Sequence, residues 1–207
     1  MTEREDPDVR HKRIFNLIAP IYGWLNGYVR SHFRDAIKTV NSIAKVEGKN
    51  VLDIGTGTGA WASLFVEKGA NYVHGLDFAE KMIDVANNRY GSSVEFSLAD
   101  AQNLPDFKDN SFDIVTASFV LHGVKKDKRE KILNEMKRIT RDLVVIHDYY
   151  GHSGPVVQFL ERLEKSDYIY FKGNFYKELS EFFPHVQKEV VTNGRAIYFG
   201  SQSPIIS

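Results

Sequence analysis

One stretch constrains this chain more than any other: Asn50 to Gly59, Asn-Val-Leu-Asp-Ile-Gly-Thr-Gly-Thr-Gly. A short apolar run passes directly into three alternating glycines, and Trp61, Leu64, Phe65 and Lys68 then follow at helical spacing. Glycine has no Cβ and tolerates positive φ, so such a turn lets backbone N–H groups approach a ligand and points a helix N-terminus at it. A buried strand leading through a tight turn into a helix is the opening of a βαβ unit, which demands a parallel sheet.

The rest of the chain repeats that rhythm. Tyr72 to Leu76, Val94 to Leu98, Phe112 to Thr116 and Leu143 to His147 are short, largely apolar runs, most of them bounded by Gly, Asp or Asn, and read as buried strands. Between them, Met82, Ile83, Val85 and Ala86, then Ile132, Leu133, Met136 and Ile139, place apolar residues on one helical face. Strands separated by helices in this way imply right-handed crossovers. Near the end, a helix is expected from about Pro155 to Lys165, followed by Val186 to Thr192, the turn Asn193-Gly194, and Ala196 to Ser201. Two extended runs joined by Asn-Gly are a strong hairpin signal. The expected fold is α/β: a doubly wound, Rossmann-like, seven-stranded sheet with five parallel strands and a C-terminal antiparallel hairpin. Ahead of it, residues 8 to 46 carry Ile14, Leu17, Ile18, Ile37, Val40, Ile43 and Ala44 at helical spacing, which suggests two or three helices. The natural division is residues 1–46, the N-terminal helices, and 47–207, the sheet domain.

Composition narrows the function. The 27 Lys and Arg balance the 27 Asp and Glu, so nothing in the overall charge suggests a body built to neutralise nucleic-acid phosphates or an anionic membrane. The run Lys125 to Arg138 mixes lysines with Asp127, Glu130 and Glu135 and reads as a solvated helix face. There is no cysteine, so neither thiolate chemistry nor Cys-ligated metal enters, and no metal is expected. The charged N-terminus and the lack of a long apolar run point to a cytoplasmic protein with no membrane partner. No particular oligomeric state is implied.

The glycines alone leave two ligands open. Gly55, Gly57 and Ala60 satisfy the dinucleotide pattern, and Asp77 lies 20 residues past Gly57, where a ribose-binding carboxylate belongs in an NAD(P)-linked reductase. Against that reading, Asp53 places a carboxylate inside the first strand, Asp100 ends the third strand one strand–helix unit after Asp77, and the closing hairpin is unusual for a dinucleotide domain. No Tyr-x-x-x-Lys comes directly after the fourth strand. VLDIGTGTG, GLDFAEKMIDVA and LADAQNLPDFKDNSFDIV together resemble the class I S-adenosylmethionine-dependent methyltransferases, in the branch of the ubiquinone/menaquinone biosynthesis C-methyltransferases. The segment Ile14 to Asn26 is similar to the one ahead of the fold in that branch, although Gly23 stands where Asp is common and Ala79 where Ser is frequent.

That resemblance implies S-adenosylmethionine as cofactor and a small-molecule acceptor. It implies that the N-terminal helices form a lid, with Tyr22 at the methionine end. Gly55, Thr56, Gly57 and Gly59 would pass the cofactor, and Asp77 would take the ribose hydroxyls. Phe78 would cover the adenine and Asp100 with Ala101 would bind its edge, although Asp100 also suits a helix N-cap. Asp53 reads as a brace behind the turn, and Ser118 as a neighbour of the cofactor. A non-catalytic cofactor-binding subunit is the remaining alternative.

Methyl transfer is an in-line displacement in which alignment contributes most, and a base is needed only if the acceptor must lose a proton. His122, after the fourth strand, and His147 and Asp148, ending the fifth, are the catalytic candidates. Residues 149 to 183 hold ten of the 26 aromatics, which suits an acceptor pocket or a cap packed on the sheet.

Overall fold

The structure is a computed structural model and describes residues 7–24, 26–151, 168–192 and 194–205. Its strands are β1 (Asn50–Ile54), β2 (Tyr72–Asp77), β3 (Glu95–Leu98), β4 (Phe112–Ser118), β5 (Thr140–Tyr149), β6 (His185–Thr192) and β7 (Arg195–Ser201). They form one sheet in the order β3-β2-β1-β4-β5-β7-β6. The first five run parallel, while β7 pairs antiparallel with both β5 and β6, so the expected architecture is the observed one.

The helices are α1 (Pro7–Trp24), α2 (Asn26–Ala44), α3 (Ala62–Glu67), α4 (Glu80–Tyr90), α5 (Lys126–Ile139) and α6 (Tyr168–Phe182). Side chains alternate across a strand, so each strand feeds two cores. Leu52, Ile54, Val115, Val144, Ile146 and Tyr198 pack with Leu133 and Met136 of α5 and Phe171, Phe175 and Leu179 of α6. Val51, Val73, Ile114, Val145 and Phe199 pack on the other side with Phe33, Ile37 and Val40 of α2 and Leu64 and Phe65 of α3. Strands buried on both faces lose period-2 alternation, which is why they read as continuous apolar runs.

Among the described residues two helices precede the sheet, and they differ in their attachment. Helix α2 belongs to the core. Helix α1 lies on α4, through Ala19 packed with Ala79 and Met82, the Lys12–Glu80 ion pair at 3.1 Å, and the Lys81 N–H donating to Asn16 Oδ1. Helix α6 went unanticipated; Tyr168, Phe171, Phe175 and Leu179 are a helical stripe, but the surrounding excess of aromatics obscured it. The helix expected from about Pro155 to Lys165 lies outside the described residues. The solvated face expected over Lys125 to Arg138 has one exception: Arg129 is wholly buried and pairs with Glu178 of α6 through Nε and Nη2, at 2.8 and 3.1 Å.

Between β3 and β4 the chain crosses back from the sheet edge to its centre without a helix. Residues 99–111 are held instead by Arg138 of α5, which donates to the carbonyls of Leu104 and Phe107 and to Asp109. Glu135 in turn accepts the Leu104 N–H.

Candidate active site

The carboxyl ends of β1, β2, β4 and β5 meet at one edge, on either side of the point where strand order reverses between β1 and β4. Open α/β sheets bind ligands there. The three glycines after β1 all have positive φ, +67° at Gly55, +54° at Gly57 and +80° at Gly59, but space treats them differently. A Cβ on Gly55 would lie 2.5 Å from Val120 Cγ2, and one on Gly59 would lie 2.9 Å from the rings of Phe96 and Tyr90. Around Gly57 a Cβ would meet nothing within 4 Å. Gly55 and Gly59 therefore serve packing, whereas Gly57 faces open room that a ligand can enter.

Asp77, at the end of β2, is buried and accepts the N–H of Gly57 and of Ala79, each at 2.9 Å. Burial pushes its carboxyl above the usual range, against the pull of the N–H groups of Ala79, Gly57 and Phe78. Asp53 is more isolated. Neither of its oxygens, nor the buried Thr56 hydroxyl, has a hydrogen-bond partner among the described residues. Loss of solvation pushes Asp53 up to about 7, against the pull of the adjacent Thr56 hydroxyl and the Ala62 N–H and with the nearby charge of Asp77 adding to the rise. Unsatisfied buried groups of this kind are costly and mark a place where a donor or cation is missing.

The side expected to hold the adenine is open. Phe78 is exposed, and its ring stands edge-on to Phe15 of α1 at 5.6 Å. Asp100 is exposed and accepts the Gln102 N–H at 2.9 Å, closing a turn on itself; no helix follows, so it caps none. Ala101 beside it is half-buried. Tyr22 falls on α1, with its side chain outside the described set.

The other half of the edge holds two histidines in opposite states. His147 is buried between Trp61, Phe33 and Phe119, with ring centroids 5.2, 5.5 and 4.7 Å away, and its Nδ1 lies 3.0 Å from Ser118 Oγ. Burial, with the Arg195 charge adding to it, holds His147 down at about 4 despite Asp148, so the ring is neutral. His122, in a single 3₁₀ turn (Leu121–Gly123), sits 2.7 Å through Nδ1 from Oδ1 of the fully buried Asp148. Asp148 also accepts the N–H of His122 and of Tyr149. A hydrogen bond donated by His122 Nδ1 to Asp148 would leave Nε2 as the acceptor atom of the ring. The rings of Tyr149, Tyr168 and Phe119 stand around His122 at 4.7, 6.0 and 6.3 Å.

An acidic brace, an open glycine turn and successive carboxylates at strand ends, closed by a reversed seventh strand, set this edge apart from a plain dinucleotide site. Residues 51–142 match the family described as "Methyltransferase domain". The chain carries a class I S-adenosylmethionine-dependent methyltransferase domain. A demethylmenaquinone methyltransferase of Listeria welshimeri is 34% identical over 149 residues, which are 68% of this chain and 61% of that protein. One from Renibacterium salmoninarum is 40% identical over 119 residues, 56% of this chain and 48% of its own. The chain thus spans about six tenths or less of the length of these relatives. The methyltransferase domain also superposes on the magnesium protoporphyrin IX methyltransferase of Synechocystis, solved with S-adenosylmethionine, with a TM-score of 0.69 at 17% identity, covering 98% of this chain and all of that one.

Reading the sequence alone overlooked Tyr149, Arg195 and the buried Arg129–Glu178 pair. The antiparallel pairing of β5 with β7 sets Tyr149 opposite Arg195, a partnership across 46 positions that no local pattern records. Among the described residues, no cluster suited to a metal ion occurs and no helix is long and apolar enough to cross a membrane.

Proposed function

We propose that this chain transfers a methyl group from S-adenosylmethionine to a small-molecule acceptor, with the cofactor along the ends of β3, β2, β1 and β4 and the acceptor beyond it, against β4 and β5. The observation that carries this reading is the juxtaposition on one edge of an open glycine turn, clamped by Asp77, and a His122–Asp148 pair. The cofactor's chemistry would be that of a methyl on a sulfonium, whose positive charge fades as the group moves. The residues present fit it. Asp77 keeps lone pairs beyond those given to Gly57 and Ala79 and can accept sugar hydroxyls. The unpaired oxygens of Asp53 and hydroxyl of Thr56 suit an ammonium group brought near the turn. Phe78 and the Asp100–Ala101 turn offer a face and an edge to a purine, and Phe15 of α1 reaches Phe78 as part of a cover.

On the acceptor side the chain needs little electrostatic force, because charge is lost rather than created. Its task is to align the nucleophile and to remove its proton. His122, oriented by Asp148, does the second; neutral His147 with Ser118 packs the floor. The name of the relatives, demethylmenaquinone methyltransferase, supports a small-molecule acceptor. Calorimetry tests the reading: S-adenosylhomocysteine should bind and NADPH should not. Binding of NADPH without S-adenosylhomocysteine would refute it.

A further inference from the structure

At the head of β7, beyond the residues assigned to cofactor or proton transfer, stands a cation with no counter-ion among the described residues. The guanidinium of Arg195 is half-buried and lies 5.4 Å from the centroid of the Phe119 ring. Among the described residues it makes no hydrogen bond and no ion pair. Arginine withdrawn from water normally meets a carboxylate or phosphate through its planar fork of five N–H donors. Here the partner among the described residues is an aromatic face.

The platform under it is held at a cost. Phe119 has φ +55°, a left-handed conformation that is an outlier for a bulky aromatic and stores backbone strain. Its N–H donates to the His147 carbonyl, and its ring packs against Phe33, His147 and Tyr149. The same ring stands 6.3 Å from His122. Phe119 thus touches both the proposed base and the unpaired cation.

Sheet order decides which ligand this cation faces. From β1, which carries the glycine turn, β7 is three strands away through β4 and β5. At ~4.8 Å per strand that is about 14 Å. A cofactor held over the glycine turn would therefore lie about three strands from Arg195, which stands on the side of the sheet proposed for the acceptor.

We propose that Arg195 is the anion-recognition residue of the acceptor site, and that the acceptor is a planar ring compound bearing a carboxylate. The carboxylate would meet the guanidinium fork, the ring would lie among Phe119 and Tyr149, and the nucleophilic atom would be presented toward His122. This rests on the methyltransferase reading above.

The test uses the chain saturated with S-adenosylhomocysteine and titrated with benzoate or with benzamide, which has the same ring and no charge. Benzoate should bind at least tenfold more tightly than benzamide, Arg195→Gln should abolish that preference, and Arg195→Lys, which keeps the charge but not the fork, should retain part of it. Equal binding of the two probes, binding of neither, or a preference that survives Arg195→Gln would overturn the proposal. So would a loss of S-adenosylhomocysteine affinity in Arg195→Gln, which would assign the arginine to the cofactor. If S-adenosylhomocysteine itself gives no heat with the unaltered chain, the methyltransferase reading fails; if it binds normally and the probes are not distinguished, only the anion site fails.

Discussion

Asp77 Oδ2 accepts the backbone N–H of Gly57 at 2.9 Å, so the carboxylate at the end of β2 also fixes the one glycine among Gly55, Gly57 and Gly59 that opens onto free space. In the proposed site, recognition of a sugar and the shape of the turn would thereby be a single device. Asp77→Asn keeps the volume but removes the charge, and charge-assisted hydrogen bonds are worth ~1.5–3 kcal/mol. Affinity for S-adenosylhomocysteine should fall at least tenfold by calorimetry; unchanged affinity would remove Asp77 from the site.

Two buried groups give opposite responses to pH. Asp53 has a folded-state pKa raised to about 7 from 3.8, so its contribution is fully present below 3.8 and is lost as pH rises through about 7. His147 is depressed to about 4 from 6.5, so its contribution is present above 6.5 and is lost as pH falls toward 4. Each slope reaches at most ~1.4 kcal/mol per pH unit, and between about 4 and 6.5 they oppose one another. In urea melts of the ligand-free chain, Asp53→Asn should gain stability with rising pH across that window and His147→Gln should lose it. Parallel profiles for both variants and the parent chain would contradict the assignment.

The left-handed backbone at Phe119 reverses an ordinary ranking. Glycine in place of alanine usually costs ~0.5–1 kcal/mol, but at positive φ alanine carries a Cβ penalty of ~1–2 kcal/mol. Both truncations lose the ring contacts, yet Phe119→Gly should melt at or above Phe119→Ala. A clearly higher melting temperature for the alanine variant would show that the strain is absent.

Arg129 is wholly buried and, besides Glu178, donates to the carbonyls of Leu121 and Val124, at the start and just past the end of the His122 turn. Arg129→Met leaves Glu178 charged and alone, a defect worth ~3–5 kcal/mol. Adding Glu178→Leu should recover part of that loss, since the uncompensated charge is then gone. Denaturant midpoints in which the double variant is weaker than Arg129→Met would argue against an isolated buried charge as the cause.

The two N-terminal helices should respond differently to ligand. Phe33, Ile37 and Val40 bind α2 into the core, whereas α1 rests on α4 and leaves Leu17 and Trp24 exposed. In hydrogen exchange, S-adenosylhomocysteine should slow amides from Ile14 to Ala19 and leave Ala36 to Val40 unchanged. Equal protection of α1 with and without ligand would remove it from the cofactor's cover.

What could be read beforehand follows from how local each signal is. The strand cores, the glycine turn and the Asn-Gly hairpin are written in runs of ten residues or fewer, and their boundaries fell within a few positions of β1 to β7. Thr140, Arg141 and Asp142 made β5 look shorter than it is, because polar residues at a strand start carry no apolar signature. Which residues gather at the site depends on strand order. His122 and Asp148 were each visible as candidates, but their 2.7 Å contact arises only when β4 and β5 lie side by side. Arg129 could not be told from its solvated neighbours, since its burial is decided by Glu178, 49 residues later.

The helix-free crossover between β3 and β4 has its own consequence. A 13-residue connection would ordinarily be among the first parts of such a chain to open. Here its carbonyls at Leu104 and Phe107 are tied to Arg138, and the N–H groups of Asn110 and Ser111 donate to the carbonyls of Arg138 and Ile139. The loop cannot detach without the end of α5 losing its partners, so segment and helix should open as one cooperative unit, and a protease cut in this connection should report the melting of α5.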